Sequence, residues 1–581
     1  METAKRYCER SQNMYNAASE YRQLWHALNE YLFPFSGSGL RNKQDDNSGL
    51  GSSKKTLNQR DRKILNSTAN YARLVYSNGM TGGTTSSTRP WFRIALPDRD
   101  LMEFKPVKEW LHETRLRMMY ALQRSNFYDA IANMHEEIGV YGWNPMIIDE
   151  DPKYMIRCRP MTIGEAYIAL DENQRPATLY RSFYMTVEQL VKRFAWAPAG
   201  KEPQRVNRTG EGLPHTIWKL WKDGKLDERV QVLHVIERRT TWPEHQIGPK
   251  AMPWASIYML KDGNKRGDKG KDAEYLEVSG YMSQPFVAPR FKTTGTQVYG
   301  NSCPGIEALA DVKMLQKMEK DKLMGLDRQV NPPMNAPAMM KKTGGGSTLP
   351  GAVNFVDIMQ GQQGFTPTLQ VNPDLNGLMV TIQEVEARIR RHFGVDLFLM
   401  MSSEEKNMTA TEVARRQTEK LHQLGPALTR FNHEGLDPII DRVFTVMLGR
   451  GEIPPPPEEM QGMELSIEYT SLLAEAQRIA DVPAIEQFSS FTGGLMAVAP
   501  EAGDKVNWDE MVDLAGERFS VPPEVIRTDE EVAQMRQERA RQQQAAQMVQ
   551  NAESMAGSAK TLSETTVGDE SVLDRMLGGI G

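Results

Sequence analysis

The first 140 residues show the apolar spacing of helices in three stretches. In residues 1–30 the apolar side chains recur at steps of three and four, at Tyr21, Leu24, Trp25 and Leu28. The same spacing predicts an amphipathic helix over 61–80, and we expect Gly82-Gly83 and the polar residues after it to end that helix. Residues 100–140 are predicted to be helical again.

Strand patterns dominate the middle of the chain, between residues 145 and 300. Apolar runs such as Val230–Ile236 alternate there with charged loops. The charged stretch 262–273 and the Gly- and Ser-rich stretch 36–53 are typical of exposed loops. The chain is therefore predicted to combine helices with a β-rich region, which is an α+β fold.

Two predicted helices bracket an irregular segment. The first covers 305–326, and Pro304 occupies a position that is favoured in a first helical turn. The second covers 373–393, with Gly394 closing it, and its apolar side chains step by three or four, at Leu375, Leu378, Ile382, Val385, Ile389 and Phe393. Residues 327–372 between the helices are rich in Pro, Gly, Asn and Met. This pattern predicts an antiparallel helical stalk with a small module at its tip.

A long helix is predicted over 409–450, after an apolar and then polar loop at 394–408. Thr409-Ala410-Thr411-Glu412 fits the capping pattern that opens a helix. Pro426 and Pro438 lie inside the helix, and each removes one backbone donor and clashes one turn back. We therefore expect this helix to be kinked or broken twice.

The carboxyl-terminal region has a different composition. Residues 528–531 form another capping pattern, which predicts a glutamine-rich helix over 534–550. Beyond Gly557 the sequence is rich in Ser, Thr and Gly. No repeat with a period of about 20–50 residues is visible along the chain.

Composition restricts the class of protein. The chain has 581 residues, and its 70 Lys and Arg against 75 Asp and Glu give a formal net charge of −5. A protein that grips nucleic acid over its whole surface needs a basic excess, so this balance argues against one. No apolar run approaches the ~18 residues that cross a bilayer. The amino terminus lacks the apolar segment of an export signal, so we expect neither a membrane-spanning helix nor export.

The motifs of enzymes and cofactor sites are missing from the sequence. The three Gly-Lys pairs are followed by Glu, Leu or Asp, so no phosphate-binding P-loop is present. His135-Glu136-Glu137 has no second histidine four residues on, and we expect it on a solvated helix face. Asp98-Arg99-Asp100 and Asp149-Glu150-Asp151 carry oxygen ligands that suit Mg²⁺, but Pro97 and Pro152 beside them favour turn or cap positions. The three cysteines are too far apart in sequence to indicate a disulfide framework or a zinc site. No enzyme, metal or cofactor is predicted.

Short motifs follow one another between residues 60 and 460. They are Gly79-Met80-Thr81 with Ser87–Phe92, Ser125–Tyr128 with Val140–Gly142, Arg181–Leu190, Tyr299–Pro304, Met408–Val413, and Leu424–Pro426 with Gly451–Pro454. In this order they resemble the motifs of the portal, or head-to-tail connector, proteins of short-tailed bacteriophages. Each motif alone is weak, and their order carries the resemblance.

The resemblance implies an architecture for the whole chain. Portal proteins form rings of about twelve subunits around a channel. The implied parts are a wing at 1–300 and 409–475, stem helices at 303–326 and 373–393, a clip at 327–372, a tunnel loop at 394–408, and a crown with a carboxyl-terminal barrel or tail at 476–581.

The resemblance also implies the function and the partners. The ring would occupy the unique capsid vertex of the virion after assembly in the cytoplasm of the bacterial host. Double-stranded DNA would be packaged and ejected through its channel. The implied partners are further copies of the chain, the terminase large subunit, the major capsid and scaffolding proteins, and the tail adaptor and internal core proteins. No membrane is implied.

DNA must slide through such a channel, so its wall should not hold phosphates strongly, because each Lys or Arg contact adds affinity through counterion release. The residues that the resemblance assigns to the tunnel loop are Val395, Asp396, Leu397, Phe398, Leu399, Met400, Met401, Glu404, Glu405 and Lys406. The candidate basic contacts to DNA or to a neighbouring subunit are Arg388, Arg390, Arg391, Lys341 and Lys342. Alternatively, Arg388 and Arg390 pair with Glu384 and Glu386 between subunits, and the two lysines meet tail or terminase surfaces.

Three other classes of protein compete with this interpretation. Another virion structural protein, such as an internal core protein, a scaffold or a tail adaptor, is the main alternative. Scaffolds lack the β-rich middle and adaptors are much shorter, while the glutamine-rich helix suits a core or scaffold contact as well as a crown. A DNA-processing enzyme would need the P-loop or carboxylate cluster that the sequence lacks. A structural protein of the host cytosol is opposed only by the order of the motifs.

Overall fold

The structure is a computed structural model that describes most of the chain. The described residues are 4–34, 36, 63–98, 101–102, 104–196, 203–204, 206, 212–240, 248–261, 275–330, 334–335, 366–367, 374–402, 425–460, 463, 465–470, 482–496, 499, 501, 505–512, 527 and 529–564. They belong to two compact units. The first consists of Met1–Asp98 and Lys105–Gln477, and the second of Arg99–Phe104 and Arg478–Gly581.

Three helices come from the amino-terminal pattern. They are α1 (Ala4–Ala17), α2 (Ser19–Tyr31) and α3 (Thr68–Thr84). Trp25 and Leu28 of α2 are fully buried, which confirms the apolar stripe predicted for the first 30 residues.

The predicted end of α3 is wrong. The helix continues through Gly82 and Gly83 to Thr84 instead of stopping near Met80. Its last turn is packed into the first unit, since Gly83 and Thr84 are buried. The Thr84 hydroxyl also donates to the Met80 carbonyl at 2.7 Å, within the same helix. Burial of this turn outweighs the low helix propensity of the two glycines, which is about 1 kcal/mol each.

Residues 100–140 contain two helices, α4 (Lys105–Arg124) and α5 (Phe127–Tyr141). Ser125 divides them, because its hydroxyl donates to the Leu122 carbonyl at 2.8 Å and accepts from the Phe127 amide at 3.1 Å. One hydroxyl therefore satisfies a carbonyl at the end of α4 and an amide at the start of α5.

The β-rich middle forms a five-stranded antiparallel sheet in the order β4-β5-β6-β7-β8. Its strands are β4 (Ala166–Leu170), β5 (Pro176–Thr186), β6 (Arg229–Arg238), β7 (Trp254–Leu260) and β8 (Tyr275–Tyr281). The helix α1 packs on buried residues of this sheet through Ala4 and Tyr7. Helices α6 (Val187–Phe194) and α7 (His215–Lys222) pack on a second set, which includes Val232 and Leu260.

A smaller antiparallel sheet has the order β3-β2-β9. Its strands are β2 (Met146–Asp151), β3 (Met155–Pro160) and β9 (Phe286–Val287). Asp149 of β2 pairs with Arg159 at 2.7 Å, and Asp151 accepts the amides of Lys153 and Tyr154 in the turn that follows. The turn role is confirmed for Asp151 but is wrong for Asp149 and Glu150, which lie within β2 because they pair with β3.

Both helices of the predicted stalk are present. They are α8 (Pro304–Val330) and α9 (Leu375–His392), and the segment between them contributes β10 (Met334–Asn335) paired antiparallel with β11 (Thr366–Pro367). Asp374 caps α9 by accepting the Gly377 amide at 3.0 Å, and Gly394 ends this region with a φ of +62°. Apart from β10 and β11, residues 331–373 lie outside the described residues.

Two helices follow α9. The first is α10 (Val395–Ser402) and the second is α11 (Asp437–Gly449). Helical residues 425–431 and a π-helical turn, Asn432–Leu436, lead directly into α11. At Pro438, where a kink or break is predicted, the chain forms a π-turn and continues into α11, and the Asp437 amide donates to the Asn432 carbonyl, five residues back. Proline has no backbone amide to donate, and the wider turn tolerates this missing hydrogen bond without ending the helix. Residues 409–424 of the predicted helix lie outside the described residues.

The chain returns to its amino-terminal part after α11. The strand β12 (Ser466–Tyr469) pairs antiparallel with β1 (Phe92–Ala95), so that Phe92 lies opposite Tyr469. Helices combined with antiparallel sheets confirm the predicted α+β class. None of the helices in the described part of the chain is long and apolar enough to span a bilayer.

The second unit contains α12 (Val482–Met496) and α13 (Asp529–Glu564). The glutamine-rich helix predicted over 534–550 is confirmed within α13, which has 36 residues. Arg536 of α13 contacts both carboxylate oxygens of Asp509 at 2.7 Å.

Candidate functional site

Helices α8 and α9 run antiparallel and share a buried stripe. Cross-helix contacts pair the start of α8 with the end of α9: Glu307 lies 3.9 Å from His392, and Asp311 lies 3.0 Å from Arg388. The buried side chains of the two helices include Ala308, Leu309, Val312, Leu315, Ile382, Val385 and Ile389. The stripe predicted for α9 is thus the face on which it packs.

Arginines of α9 are bound to acids of the same chain. Arg388 contacts Asp311 of α8, because α8 brings Asp311 alongside the last turns of α9. Arg390 lies 3.6 Å from Glu386, one helical turn back in the same chain. Both arginine side chains are about half exposed (49% and 48%), so each pair contributes less than about 1 kcal/mol.

A hydrogen-bonded group of Asn66, Gln316, Glu319 and Glu386, called the polar bracket below, joins the residues just before α3 to both α8 and α9. The Gln316 side-chain oxygen accepts the amides of Leu65 and Asn66 at 2.6 Å and 2.9 Å, and its nitrogen donates to the Asn66 carbonyl at 2.8 Å. Asn66 in turn donates to Glu319 at 3.1 Å and to Glu386 at 2.8 Å. No pattern in the sequence predicts this bracket. Its only signal was a glutamine within the apolar stripe of α8.

Glycines bring the start of α8 against the end of α5. A Cβ on Gly300 would lie 2.1 Å from the Gly142 carbonyl oxygen, and a Cβ on Gly305 would lie 2.5 Å from the Val140 carbonyl oxygen. Gly142 itself has a φ of +82°, a conformation that favours glycine. The Val140–Gly142 and Tyr299–Pro304 motifs, far apart in sequence, therefore meet at the base of α8.

The predicted loop at 394–408 is wrong for its first part, because Val395–Ser402 is the helix α10. Val395, Leu397 and Phe398 are buried, and this packing stabilises helical structure that the short apolar run alone does not specify. Phe398 lies directly over Gly79 of α3, where a Cβ would be 2.1 Å from its ring.

The remaining predicted site residues have different placements. Asp396 and Leu399 are exposed on α10, and Met400 and Met401 belong to the same helix. Arg391 is exposed at the end of α9, without an ion pair among the described residues. Glu404, Glu405 and Lys406, together with Lys341 and Lys342, lie outside the described residues. The structure thus brings Arg388, Arg390 and Arg391 close to the start of α10.

The prediction of a solvated face for His135-Glu136-Glu137 is wrong, because α5 is covered on several sides. His135 is buried against Phe431, with ring centroids 4.7 Å apart, and burial lowers its pKa to about 3. Glu137 contacts the Ser36 hydroxyl and accepts from Asn144 and from the Ile163 amide, each at 3.0 Å. Burial raises the pKa of Glu137 to about 8, although these hydrogen bonds oppose the shift.

Metal chemistry has no support in the described ranges. They contain no group of three or more His, Cys, Asp or Glu side chains that could hold a metal ion. The buried histidine and glutamate described above bind neighbouring protein groups, so they join α5 to other segments. The site therefore consists of the packed helices α8 and α9, and the start of α8 is held against the end of α5.

Comparisons with known proteins identify the family. The model of the family described as "Bacteriophage head to tail connecting protein" matches residues 4–526. The chain is 36% identical to the portal protein of Salmonella phage epsilon15 over 524 residues, which are 90% of either protein. It is 35% identical to the probable portal protein of Bordetella phage BPP-1 over 518 residues, which are 89% of this chain and 87% of that protein.

Two solved structures are weakly similar. One is a chain from the virion of a native gene transfer agent particle, with 12% identity, 77% of this chain and 98% of that chain covered, and a TM-score of 0.29. The other is from the neck of an empty gene transfer agent particle, with 11% identity, coverage of 78% and 94%, and a TM-score of 0.29. These scores carry no argument about the fold. On the family match and the two phage relatives, the chain belongs to the bacteriophage head-to-tail connecting proteins, the portal proteins, and is a structural protein and not an enzyme.

Proposed function

We propose that copies of this chain assemble into a ring at the unique capsid vertex and that double-stranded DNA is packaged and ejected through its central channel. The observation that carries this proposal is the family match over residues 4–526, together with portal relatives that align over about nine tenths of the chain. In the virion, the same ring joins the head to the tail and docks the terminase.

The charges of α8 and α9 suit a channel wall that lets DNA slide. Arg388 and Arg390 each lie beside an acid of the same chain, which offsets their attraction to phosphate. The net charge of −5 per chain corresponds to about −60 for a ring of about twelve copies. A wall of this kind releases few counterions when DNA enters, so it does not trap the DNA. Arg391 is the best candidate of the three for direct contact with DNA.

The tunnel loop of this proposal divides into two parts. Residues 395–399 belong to α10 and form the base of the tunnel loop. Three of their five side chains are buried against the rest of the first unit. Residues 403–408, with Glu404, Glu405 and Lys406, follow α10 and are the part that faces the DNA.

The other predicted parts complete the proposal. The clip at 327–372, with Lys341 and Lys342, meets the terminase large subunit and the tail adaptor. The wing at 1–300 and 409–475 meets the major capsid and scaffolding proteins. The crown at 476–581 contains α13, which is about 54 Å long at 1.5 Å per residue, and it forms a helical barrel toward the internal core proteins.

Electron microscopy of the purified full-length protein tests the proposal. We expect rings with an axial pore wide enough for duplex DNA. Images that contain only monomers or closed particles would contradict the ring. A solid rod or shell without a pore would favour a scaffold or core protein instead.

A further inference from the structure

The aromatic ring of Phe398 in α10 packs directly against Gly79 of α3. A Cβ built on Gly79 would lie 2.1, 2.3 and 2.8 Å from the Cδ1, Cγ and Cβ atoms of Phe398. All three distances are shorter than carbon–carbon contacts permit. The ring therefore occupies the space that any other residue at position 79 would fill. Phe398 is 5% exposed, so this contact is part of the interior of the first unit.

Tyr76, one turn before Gly79, fixes the ring from a second direction. Its ring meets Phe398 edge to face with centroids 5.8 Å apart, and Phe393 in the same manner at 6.3 Å. On its other side, Tyr76 lies over Gly139 of α5, where a Cβ would be 2.3 Å from its Cε1 atom. Edge-to-face packing restricts the orientation of each ring as well as its distance. Phe398 is thus connected through Tyr76 to α5.

The backbone restricts α10 at its start. Gly394 has a φ of +62° and turns the chain between α9 and α10. Its carbonyl accepts the amides of Leu397 and Phe398 at 3.0 Å and 3.2 Å. The opposite face of the short helix is open, since Leu399 is 41% exposed. Phe398, which is buried together with Val395 and Leu397, is therefore a side chain that holds α10 to α3.

We propose that Gly79 and Phe398 form an anchor that fixes the point from which residues 403–408 extend into the channel. This inference rests on the proposed function of 403–408 as the DNA-facing part. Phe398 and Gly79 are positioning residues in it, because they set the place of the segment and do not touch DNA. Because Tyr76 links the anchor to α5, displacement of α5 or α3 is transmitted to the segment.

The chain provides a matched control for the test. Gly82 lies three residues after Gly79 in the same helix, and a Cβ there would meet nothing within 4 Å. Gly79→Ala and Gly82→Ala are the same chemical change in the same helix, and only the first clashes with Phe398. Phe398→Ala removes the ring without a clash, so it tests the anchor even when Gly79→Ala fails to fold.

Hydrogen exchange of residues 394–402 in the assembled full-length protein measures whether α10 is held. We expect exchange to rise about tenfold or more in Gly79→Ala and Phe398→Ala and to stay at the wild-type level in Gly82→Ala. Unchanged exchange in both Gly79→Ala and Phe398→Ala, or an equal rise in Gly82→Ala, would overturn the anchor.

Retention of packaged DNA in particles separates the anchor from the proposed function. We expect Phe398→Ala particles to lose DNA to the same extent as particles with residues 403–408 deleted. Raised exchange combined with normal retention in the deletion variant would contradict the channel role of 403–408 and leave the contact itself in place. Impaired retention in the deletion variant combined with normal retention in Phe398→Ala would overturn the positioning role.

Discussion

The guanidinium group of Arg290 binds both carboxylate oxygens of Glu434, at 2.7 Å and 3.0 Å, although the two residues lie 144 positions apart. Arg290 is 3% exposed and also donates to the Gln174 carbonyl at 2.8 Å. Glu434 lies within the π-helical turn that precedes α11. The pair therefore fixes this turn against the β-rich part of the first unit.

Removal of one member of this pair should be strongly destabilising. We expect Glu434→Ala to lower the free energy of unfolding by about 3–5 kcal/mol, because it leaves a buried guanidinium without its acid. Thermal and denaturant unfolding measure the change. Arg388→Ala, which breaks the exposed pair with Asp311, is the matched control and should cost less than about 1 kcal/mol. Equal losses in the two variants would contradict the difference in burial.

Stability should fall with rising pH because of Glu137. Its pKa is about 8 in the folded protein and near the ordinary 4.5 when unfolded, since burial disfavours the charged carboxylate. The contribution of the neutral carboxyl is fully present below pH 4.5 and is lost as the pH rises to 8, by about 1.4 kcal/mol for each pKa unit of the shift. Glu137→Gln should flatten this part of the stability profile. Exposed Glu113 provides the control: Glu113→Gln should keep the wild-type slope.

The close backbone contact between Gly300 and Gly142 at the start of α8 predicts that a side chain at position 300 destabilises the protein. Gly300→Ala places a Cβ 2.1 Å from the Gly142 carbonyl oxygen, and neither backbone can move away without displacing α5 or α8. We expect a loss of about 2 kcal/mol or more and a lower yield of folded protein. Gly449→Ala, where a Cβ meets nothing within 4 Å, should unfold like the wild type. A Gly300→Ala variant that is as stable as Gly449→Ala would show that the segments can separate freely.

Deletion of residues 403–408 should leave assembly intact and impair packaging or retention of DNA. A deletion that starts at Val395 would also remove three buried side chains and destabilise the first unit. The shorter deletion therefore separates the channel role from folding. Electron microscopy should show normal rings, and DNA content per particle should fall. Normal DNA content with intact rings would exclude this segment as the tunnel loop.

The sequence was sufficient where periodicity alone determines structure. The two helices of the stalk, the apolar stripe of α9 and the turn at Gly394 all follow from local spacing, and each is confirmed. Predictions from local spacing were wrong where a distant segment of the chain covers the residues concerned. Gly82-Gly83 was expected to end a helix that burial extends. His135-Glu136-Glu137 was expected in solvent, although Phe431 and the hydroxyls of Thr81 and Thr84 in α3 contact its histidine.

The candidate site was harder to predict than the fold. Arg390 lies beside Glu386 one turn back on α9, but nothing in the spacing of α9 shows that α8 presents Asp311 to Arg388. The helix Val395–Ser402 places Phe398 over Gly79, and no pattern near residue 395 reveals this contact. Contacts between positions hundreds of residues apart leave no local signal in a single sequence.

The pairing of Phe92 with Tyr469 has a consequence for how the protein is made. A ribosome that adds about 5–20 residues per second needs roughly 20 to 75 seconds to progress from one strand to the other. Throughout that interval β12, which pairs with β1 in the described part of the chain, has not been made, and the backbone edge of β1 is open to other nascent chains. Premature termination anywhere before β12 would leave this edge open, so truncated products should be the ones that aggregate or recruit chaperones.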